Sequence, residues 1–114
     1  MLAVIFEFEA VAERKQDYLD FAAALGPELE NFDGFISIER FESLTSPGRL
    51  LSLSFWRDEA AISAWRNFEQ HRTAQQAGRN GVFADYRLRV ASVIRDYDMQ
   101  QRNAAPADSQ DFHG

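Results

Sequence analysis

The sequence predicts a single α+β domain whose elements follow the order strand, helix, strand, strand, helix, strand. Apolar side chains recur with a period of two in four segments and with helical spacing in two others. Turn-forming residues, mostly Gly, Pro, Asp and Ser, separate several of these segments. The length of 114 residues suits one domain.

The first two elements are a strand over residues 2–10 and a helix over residues 12–31. Alternation in the strand places Val4, Phe6 and Phe8 on one face. The helix carries one apolar stripe, made of Tyr18, Phe21, Ala22, Leu25 and Leu29. Because Gly26 and Pro27 interrupt this stripe, we expect the helix to kink there or to restart at Pro27.

The next two elements form a hairpin. A strand over residues 35–43 and a strand over residues 49–56 are joined by a turn at residues 45–48. Strict alternation in the first of them places Phe35 with Ser37, Glu39 and Phe41 on one face, and Ile36 with Ile38 on the other.

The last two elements are a helix and a long strand. Asp58 is the predicted N-cap, and the helix runs to Ala77, with a break or irregular turn expected within residues 67–71. The final strand covers residues 82–98, and its alternation puts Tyr86, Leu88 and Val90 on one face. Residues 99–114 are polar and are expected to form a mobile tail, so the folded domain is predicted to cover residues 1–98.

This element order is that of the ferredoxin-like βαββαβ fold, a four-stranded antiparallel sheet with two helices on one face. The opposite face also carries apolar side chains, and a contiguous apolar patch is rarely left in water. A second copy of the same sheet, related by a two-fold axis, would cover it. We therefore expect a homodimer.

Composition excludes several classes of partner and site. The net charge is −6 and Lys15 is the only lysine, which disfavours nucleic-acid binding. Apolar runs are far shorter than the roughly 20 residues of a membrane span, and the N-terminus lacks a basic region, so a cytoplasmic location is expected. Without cysteine, and without metal-ligand spacing, the sequence predicts neither disulfides nor a metal site.

The run F-W-R-D-E-A-A-I-S-A-W at residues 55–65, followed by His71, resembles the antibiotic biosynthesis monooxygenase family. The start of the second strand, Gly34 to Ser37, is similar too, and so is Trp56 at the end of the third strand. The run from Glu69 to Arg79 is typical of one uncharacterised bacterial branch. The resemblance covers residues 1–98 and implies a dimeric α+β barrel.

The resemblance implies several possible activities. Members include cofactor-independent oxygenases of polyketide phenols and haem-degrading oxygenases. In the haem-degrading members a histidine ten residues after the helix tryptophan holds the iron, and that position here is Gln75. They also have an asparagine on the first strand, where this chain offers Glu7. The resemblance therefore disfavours haem degradation and implies an oxygenase without a tightly held cofactor.

His71 and Glu7 are the candidate catalytic residues. The imidazole of His71 could take a proton from a phenolic substrate near neutral pH, or it could cap a turn as a structural group. Six residues separate it from Trp65, about 600° of rotation on a helix, so the two line one cavity only if the helix breaks. Glu7 lies among apolar residues and is either a base with a raised pKa or the partner of Arg40, Arg87 or Arg89.

The candidate substrate-binding residues are Trp65, Phe68, Trp56 and Ser54. Trp65 and Phe68 share the apolar side of the second helix, so each is either core or the wall of a pocket for a flat molecule. Trp56 closes the third strand, a position typical of packing. Ser54 offers a hydroxyl, although no motif marks it as a nucleophile.

The residues are consistent with three functions. The first is a cofactor-independent monooxygenase-like enzyme acting on a small phenolic or enolic molecule in a pocket between sheet and helices. The second is a binding or stress-related protein that holds a small hydrophobic molecule without converting it. The third is a proton-transfer isomerase. A fold alone does not choose among them.

Overall fold

The computed structural model describes residues 1–75 and 83–109, and for residues 10, 12, 70–75, 83 and 84 it describes the backbone alone. The strands are β1 (Leu2–Ala10), β2 (Phe35–Glu42), β3 (Arg49–Trp56) and β4 (Phe83–Ser92). The helices are α1 (Lys15–Glu30), preceded by a 3₁₀ turn over Ala12–Arg14, and α2 (Glu59–Gln75). The predicted βαββαβ order is confirmed.

The four strands form one antiparallel sheet in the order β2-β3-β1-β4. The register aligns side chains in rows across the sheet. Val4 lies opposite Ser54 and Val90, and Phe6 lies opposite Ser52 and Leu88. Since Val4 packs against the core formed with the helices, the face that it shares with these residues is called here the helix side.

The strict alternation predicted for β2 is wrong at its start. The register shifts between Phe35 and Ser37, so one extra residue, Ile36, bulges out of the pairing with β3. As a result Phe35 and Ile38 both pack against the core, and Ile36 is exposed. The bulge therefore places Phe35 and Ile38 on the same face of the sheet, whereas strict alternation places them on opposite faces.

Both helices run longer without interruption than predicted. α1 continues through Pro27, whose carbonyl oxygen accepts a hydrogen bond from the side-chain amide of Asn31 at 3.0 Å. Asp58 is the N-cap of α2, as predicted, because its Oδ1 accepts the backbone N–H of Ala61 at 2.9 Å. The break expected within residues 67–71 is wrong, since α2 is helical from Glu59 to Gln75. The predicted end of this helix at Ala77 and the start of the last strand at residue 82 fall outside the described residues.

β4 ends at Ser92, six residues before the predicted end of the strand. Ser92 pairs with Leu2, the first residue of β1, so the chain beyond it has no neighbouring strand to bond. One further backbone hydrogen bond joins the Val93 N–H to the Met1 carbonyl at 3.1 Å. In the polar segment that follows, Asp98 Oδ1 accepts the backbone N–H groups of Gln100 and Gln101 and forms a local turn.

The hydrophobic core lies between the helices and the β2–β3 half of the sheet. Its buried members are Leu25, Leu29, Trp56, Ala61 and Trp65. Among the described residues, no helix is long and apolar enough to cross a membrane.

Gly34 forms the corner where β2 begins beside α2. Its φ of +87° is a conformation that side chains disfavour, and a Cβ there would overlap the Cβ of Ala61. Its carbonyl oxygen accepts the Arg57 N–H at 2.8 Å, and the Arg57 guanidinium pairs with Asp33 at 3.0 Å. Glycine is therefore required for the close approach of this corner to α2.

Candidate functional site

Five aromatic side chains meet at one end of the helix side, where β2 and β3 lie under α2 and the end of α1. This aromatic cluster consists of Phe32, Phe35, Trp56, Trp65 and Phe68. The Phe32 ring stands edge-on to Trp65 at 5.1 Å between centroids, and Phe35 stands edge-on to Trp56 at 5.4 Å. Trp56 is 2% exposed and Trp65 is 9% exposed, and Phe32, Phe35 and Phe68 are partly buried against them, so the cluster is part of the core.

The structure brings together all four residues predicted to bind a substrate. Trp56 donates its indole N–H to the Ser54 hydroxyl at 2.9 Å, and both side chains are buried. Trp65 and Phe68 lie 5.3 Å apart, one helical spacing along α2. Because these side chains pack against one another, a ligand would have to lie beside the cluster.

A second part of the helix side is apolar and exposed. It spans the β1–β4 half of the sheet and is called here the open strip; its members are Phe6, Tyr86, Leu88 and Val90. Tyr86 is 64% exposed, Leu88 53% and Val90 44%. The Phe6 ring lies 5.8 Å from Tyr86 and directly opposite Leu88 in the register. Three large apolar side chains of one strand thus face the helix side without being buried there.

A cleft of about 180 Å³ lies at the other end of the helix side, beside the first turn of α1. Its lining consists of Phe8, Tyr18, Leu19, Arg40, Phe41, Glu42 and Leu50. Phe8, 1% exposed, stands between the cleft and the open strip, stacked on Phe6 at 4.9 Å and packed against Tyr18 at 4.6 Å. Arg40 donates its Nε–H to the Tyr18 hydroxyl at 3.3 Å.

Glu69 of α2 is a titratable group near the site that is not among the residues predicted from the sequence. By surface area the residue is exposed, but burial of its carboxyl group raises its pKa. The charge of Arg40 and a hydrogen bond with the Trp65 side chain oppose that rise without cancelling it. The sequence spacing could have identified Glu69, because it follows Trp65 by four residues and therefore lies on the same side of the helix.

Glu7 lies on the other face of the sheet, with Ile5, Leu51 and Leu53 of the register rows. Its carboxylate contacts Arg49 at 3.4 Å and Arg89 at 3.5 Å. The structure does not bring Glu7 together with Trp65, Phe68 or the open strip. Its placement favours the ion-pair interpretation, with Arg89 among the three arginines considered as partners.

His71 occupies the second half of α2, and its side chain lies outside the described residues. Because the helix is unbroken from Trp65 to His71, no irregular turn brings these two positions onto one side of it. The role of His71 as a base therefore stays a prediction.

The helix side of β1 lacks the polar side chain that the haem-degrading members carry on this strand. It presents Val4, Phe6 and Phe8, all apolar, and the one polar side chain near the middle of the strand, Glu7, faces away. Among the residues that the structure describes, no three His, Cys, Asp or Glu side chains are grouped to hold a metal ion. We derive no catalytic step through a haem.

Residues 1–77 match the family model described as antibiotic biosynthesis monooxygenase. Jasmonate monooxygenase ABM from Pyricularia oryzae is 45% identical over 114 residues, which is 97% of this chain. The chain spans 53% of that relative's length. Over this shared stretch, the identity is well above what a common fold alone requires.

Solved structures share the fold at lower identity. Rv0793 from Mycobacterium tuberculosis has a TM-score of 0.70 at 18% identity, covering 85% of this chain and 98% of its own. The heme degrader MhuD from the same organism, with two hemes bound in its active site, has a TM-score of 0.64 at 22% identity, covering 86% of this chain and all of its own. At these identities the likeness concerns the fold.

Proposed function

Because the chain belongs to the antibiotic biosynthesis monooxygenase family, we propose that it transfers one oxygen atom from O2 to a small apolar substrate bound on the helix side. The observation that carries this proposal is the open strip. Phe6, Leu88 and Val90 form an apolar surface beside a rigid aromatic cluster, and a ligand that covers it removes that surface from water.

The substrate class follows from chemistry that needs no bound cofactor. A substrate with an acidic CH2 group, beside a carbonyl or between aromatic rings, can itself reduce O2 after it loses a proton. The anion gives an electron to O2 and a carbon–oxygen bond forms. Cleavage of the O–O bond with loss of the second hydrogen then releases water, so CH2 plus O2 becomes C=O plus H2O. Phenolic and enolic molecules meet this requirement where the phenol or enol is the tautomer of a ketone with such a CH2 group, as in an anthrone.

The relative from Pyricularia oryzae supports a substrate of this size, since its name states that it acts on a jasmonate. A jasmonate is a small, largely apolar molecule with a ring ketone and a carboxylate. The ketone makes the neighbouring ring CH2 acidic. We therefore place jasmonates beside anthrone-type phenols as first candidates.

In this proposal the residues divide the work. The open strip binds the apolar body, and the aromatic cluster with Trp65, Phe68, Trp56 and Ser54 fixes the wall beside it. His71 is the proposed base, because imidazole titrates near neutral pH. Its position lies on a different side of α2 from Trp65, so it would approach the substrate from outside the wall that Trp65 forms.

We also propose that the active form is a homodimer joined through the face opposite the helices. Ile5, Leu51, Leu53 and Phe55 make this face apolar, and the ion pairs of Glu7 provide polar contacts that fix its register. Sedimentation at micromolar concentration should give twice the chain mass. A stable monomer would contradict the dimer.

Oxygen uptake tests the proposed function. An oxygen electrode should record uptake with an anthrone-type phenol or with jasmonate. Leu88→Asp should abolish it, because a carboxylate in the open strip opposes binding of an apolar ligand. Leu44→Asp is the matched control, since Leu44 is fully exposed in the β2–β3 turn.

Binding measurements separate the remaining functions. His71→Ala should bind the ligand as the wild type does and lose uptake. Micromolar binding by the wild type with no uptake for any ligand would favour a binding protein over an enzyme. Conversion of the ligand without O2 consumption would indicate a proton-transfer isomerase. No binding and no uptake would contradict the proposed function.

A further inference from the structure

We propose that the cleft beside the first turn of α1 is a second binding site, which takes a small single-ring or short-chain carboxylate with Arg40 as its anchor. The site is separate from the open strip because the buried ring of Phe8 stands between them. It is independent of the oxygenase proposal.

The lining selects an apolar body. The apolar wall of the cleft comes from β1, α1 and the β2–β3 hairpin, and it consists of Phe8, Leu19, Phe41 and Leu50. The space of about 180 Å³ is room for roughly six water molecules at liquid density. One aromatic ring with a short acidic side chain fits a space of this size.

Arg40 makes the cleft favour a negatively charged ligand. It is the cation of the cleft lining, and its Nε–H is donated to the Tyr18 hydroxyl at 3.3 Å. That hydrogen bond links the guanidinium to α1 and leaves its two terminal nitrogens out of the contact. The remaining N–H groups suit the paired hydrogen bonds that a carboxylate accepts.

Two acidic residues near Arg40 limit the affinity. Glu42 lines the cleft, but its Oε1 accepts the Gly48 N–H at 3.4 Å, which directs that carboxylate toward the hairpin turn. The positive charge of Arg40 also interacts with the carboxyl group of Glu69 on α2. Burial raises the pKa of the Glu69 carboxyl group, so its competition with a ligand for the charge of Arg40 weakens as the pH falls.

Calorimetry with phenylacetate and its neutral isostere phenylacetamide tests the site. The wild type should bind phenylacetate more tightly than phenylacetamide. Arg40→Gln should weaken phenylacetate by about tenfold to a hundredfold, the usual effect of losing a charged hydrogen-bond partner, and leave phenylacetamide unchanged. Arg66→Gln, an exposed arginine on α2, is the matched control and should bind as the wild type does.

A second variant keeps the test decisive if Arg40→Gln fails to fold. Leu19→Trp fills the cleft from a partly exposed position on α1 and should abolish binding of both probes. Equal affinity of the wild type for the acid and the amide would overturn the proposal. So would phenylacetate binding that survives both variants, or no binding of phenylacetate at millimolar concentration. Loss of oxygen uptake in Leu88→Asp with phenylacetate binding intact would confirm that the two sites are separate.

Discussion

The aromatic cluster and the open strip lie on the same side of one sheet and are built from the same kinds of residue, yet one is packed and the other exposed. Trp56 is 2% exposed in the cluster, whereas Leu88 is 53% exposed in the strip. The two regions differ in whether other core residues cover them. The core packs over β2 and β3 and leaves the helix-side residues of β4 exposed. Aromatic content by itself therefore does not mark a binding surface.

Stability should separate the two regions most clearly. Trp56→Ala leaves a large cavity in the core and should cost about 3–5 kcal/mol of unfolding free energy. Leu88→Ala removes an exposed side chain and should change it by about 0.5 kcal/mol or less. Urea unfolding of the two variants measures both. Equal losses would mean that the strip is core as well.

Gly34 tests how tightly the cluster end of the fold is packed. Gly34→Ala forces a side chain into a positive-φ position against Ala61 and should cost about 2–4 kcal/mol. Gly26→Ala is the matched control, because Gly26 lies within α1 with open space around its Cα. It should stabilise the protein by about 0.5–1 kcal/mol. If Gly26→Ala destabilised the protein more than Gly34→Ala, the close packing of Gly34 against Ala61 would be contradicted.

The N-cap of α2 supports the same end of the molecule. Asp58→Ala removes the acceptor of the Ala61 N–H and should lower the melting temperature by a few degrees, whereas Asp58→Asn should largely preserve it. The hydrogen bond from Ala61 and the pairing with Arg57 lower the pKa of Asp58. Its contribution is therefore present above the unfolded pKa and is lost as pH falls through the folded pKa. A melting difference between wild type and Asp58→Ala that grew in acid would contradict this.

Glu69 should give the smallest effect, with the opposite pH dependence. Burial raises the pKa of its carboxyl group, so the folded state binds the proton more tightly than the unfolded state. The stability it contributes is present below the unfolded pKa and is lost as pH rises through the folded pKa. Glu69→Gln should thus melt slightly above wild type at neutral pH and lose that advantage in acid. Glu59→Gln, a carboxyl-to-amide change at an exposed position in the first turn of α2, is the matched control.

The sequence predicts much of this fold because periodicity and turn residues carry its information. The βαββαβ order and the Asp58 cap follow from local patterns alone. The bulge at Ile36 does not, since Phe35, Ile36 and Ile38 are all apolar and an extra residue leaves no mark in their alternation. Likewise, a helix whose first half is capped and packed continues through a polar stretch that has no stripe of its own.

The candidate site was harder to predict because it depends on cover and on contacts between distant elements. The residues chosen for a pocket, Ser54, Trp56, Trp65 and Phe68, do lie together, but they contact one another. The sequence correctly places Tyr86, Leu88 and Val90 on one face of β4. Whether that face is exposed depends on where the helices pack, which the sequence of the strand does not reveal. No single segment reveals that Arg40 of β2 meets Tyr18 of α1.

The central claim is that the substrate binds the open strip. A crystal structure of the protein soaked with jasmonate or an anthrone tests it most directly. The account predicts ligand density on the helix side, in contact with Phe6 and Leu88 and bordered by the aromatic cluster. Density on the opposite face, against Ile5 and Leu53, would contradict it.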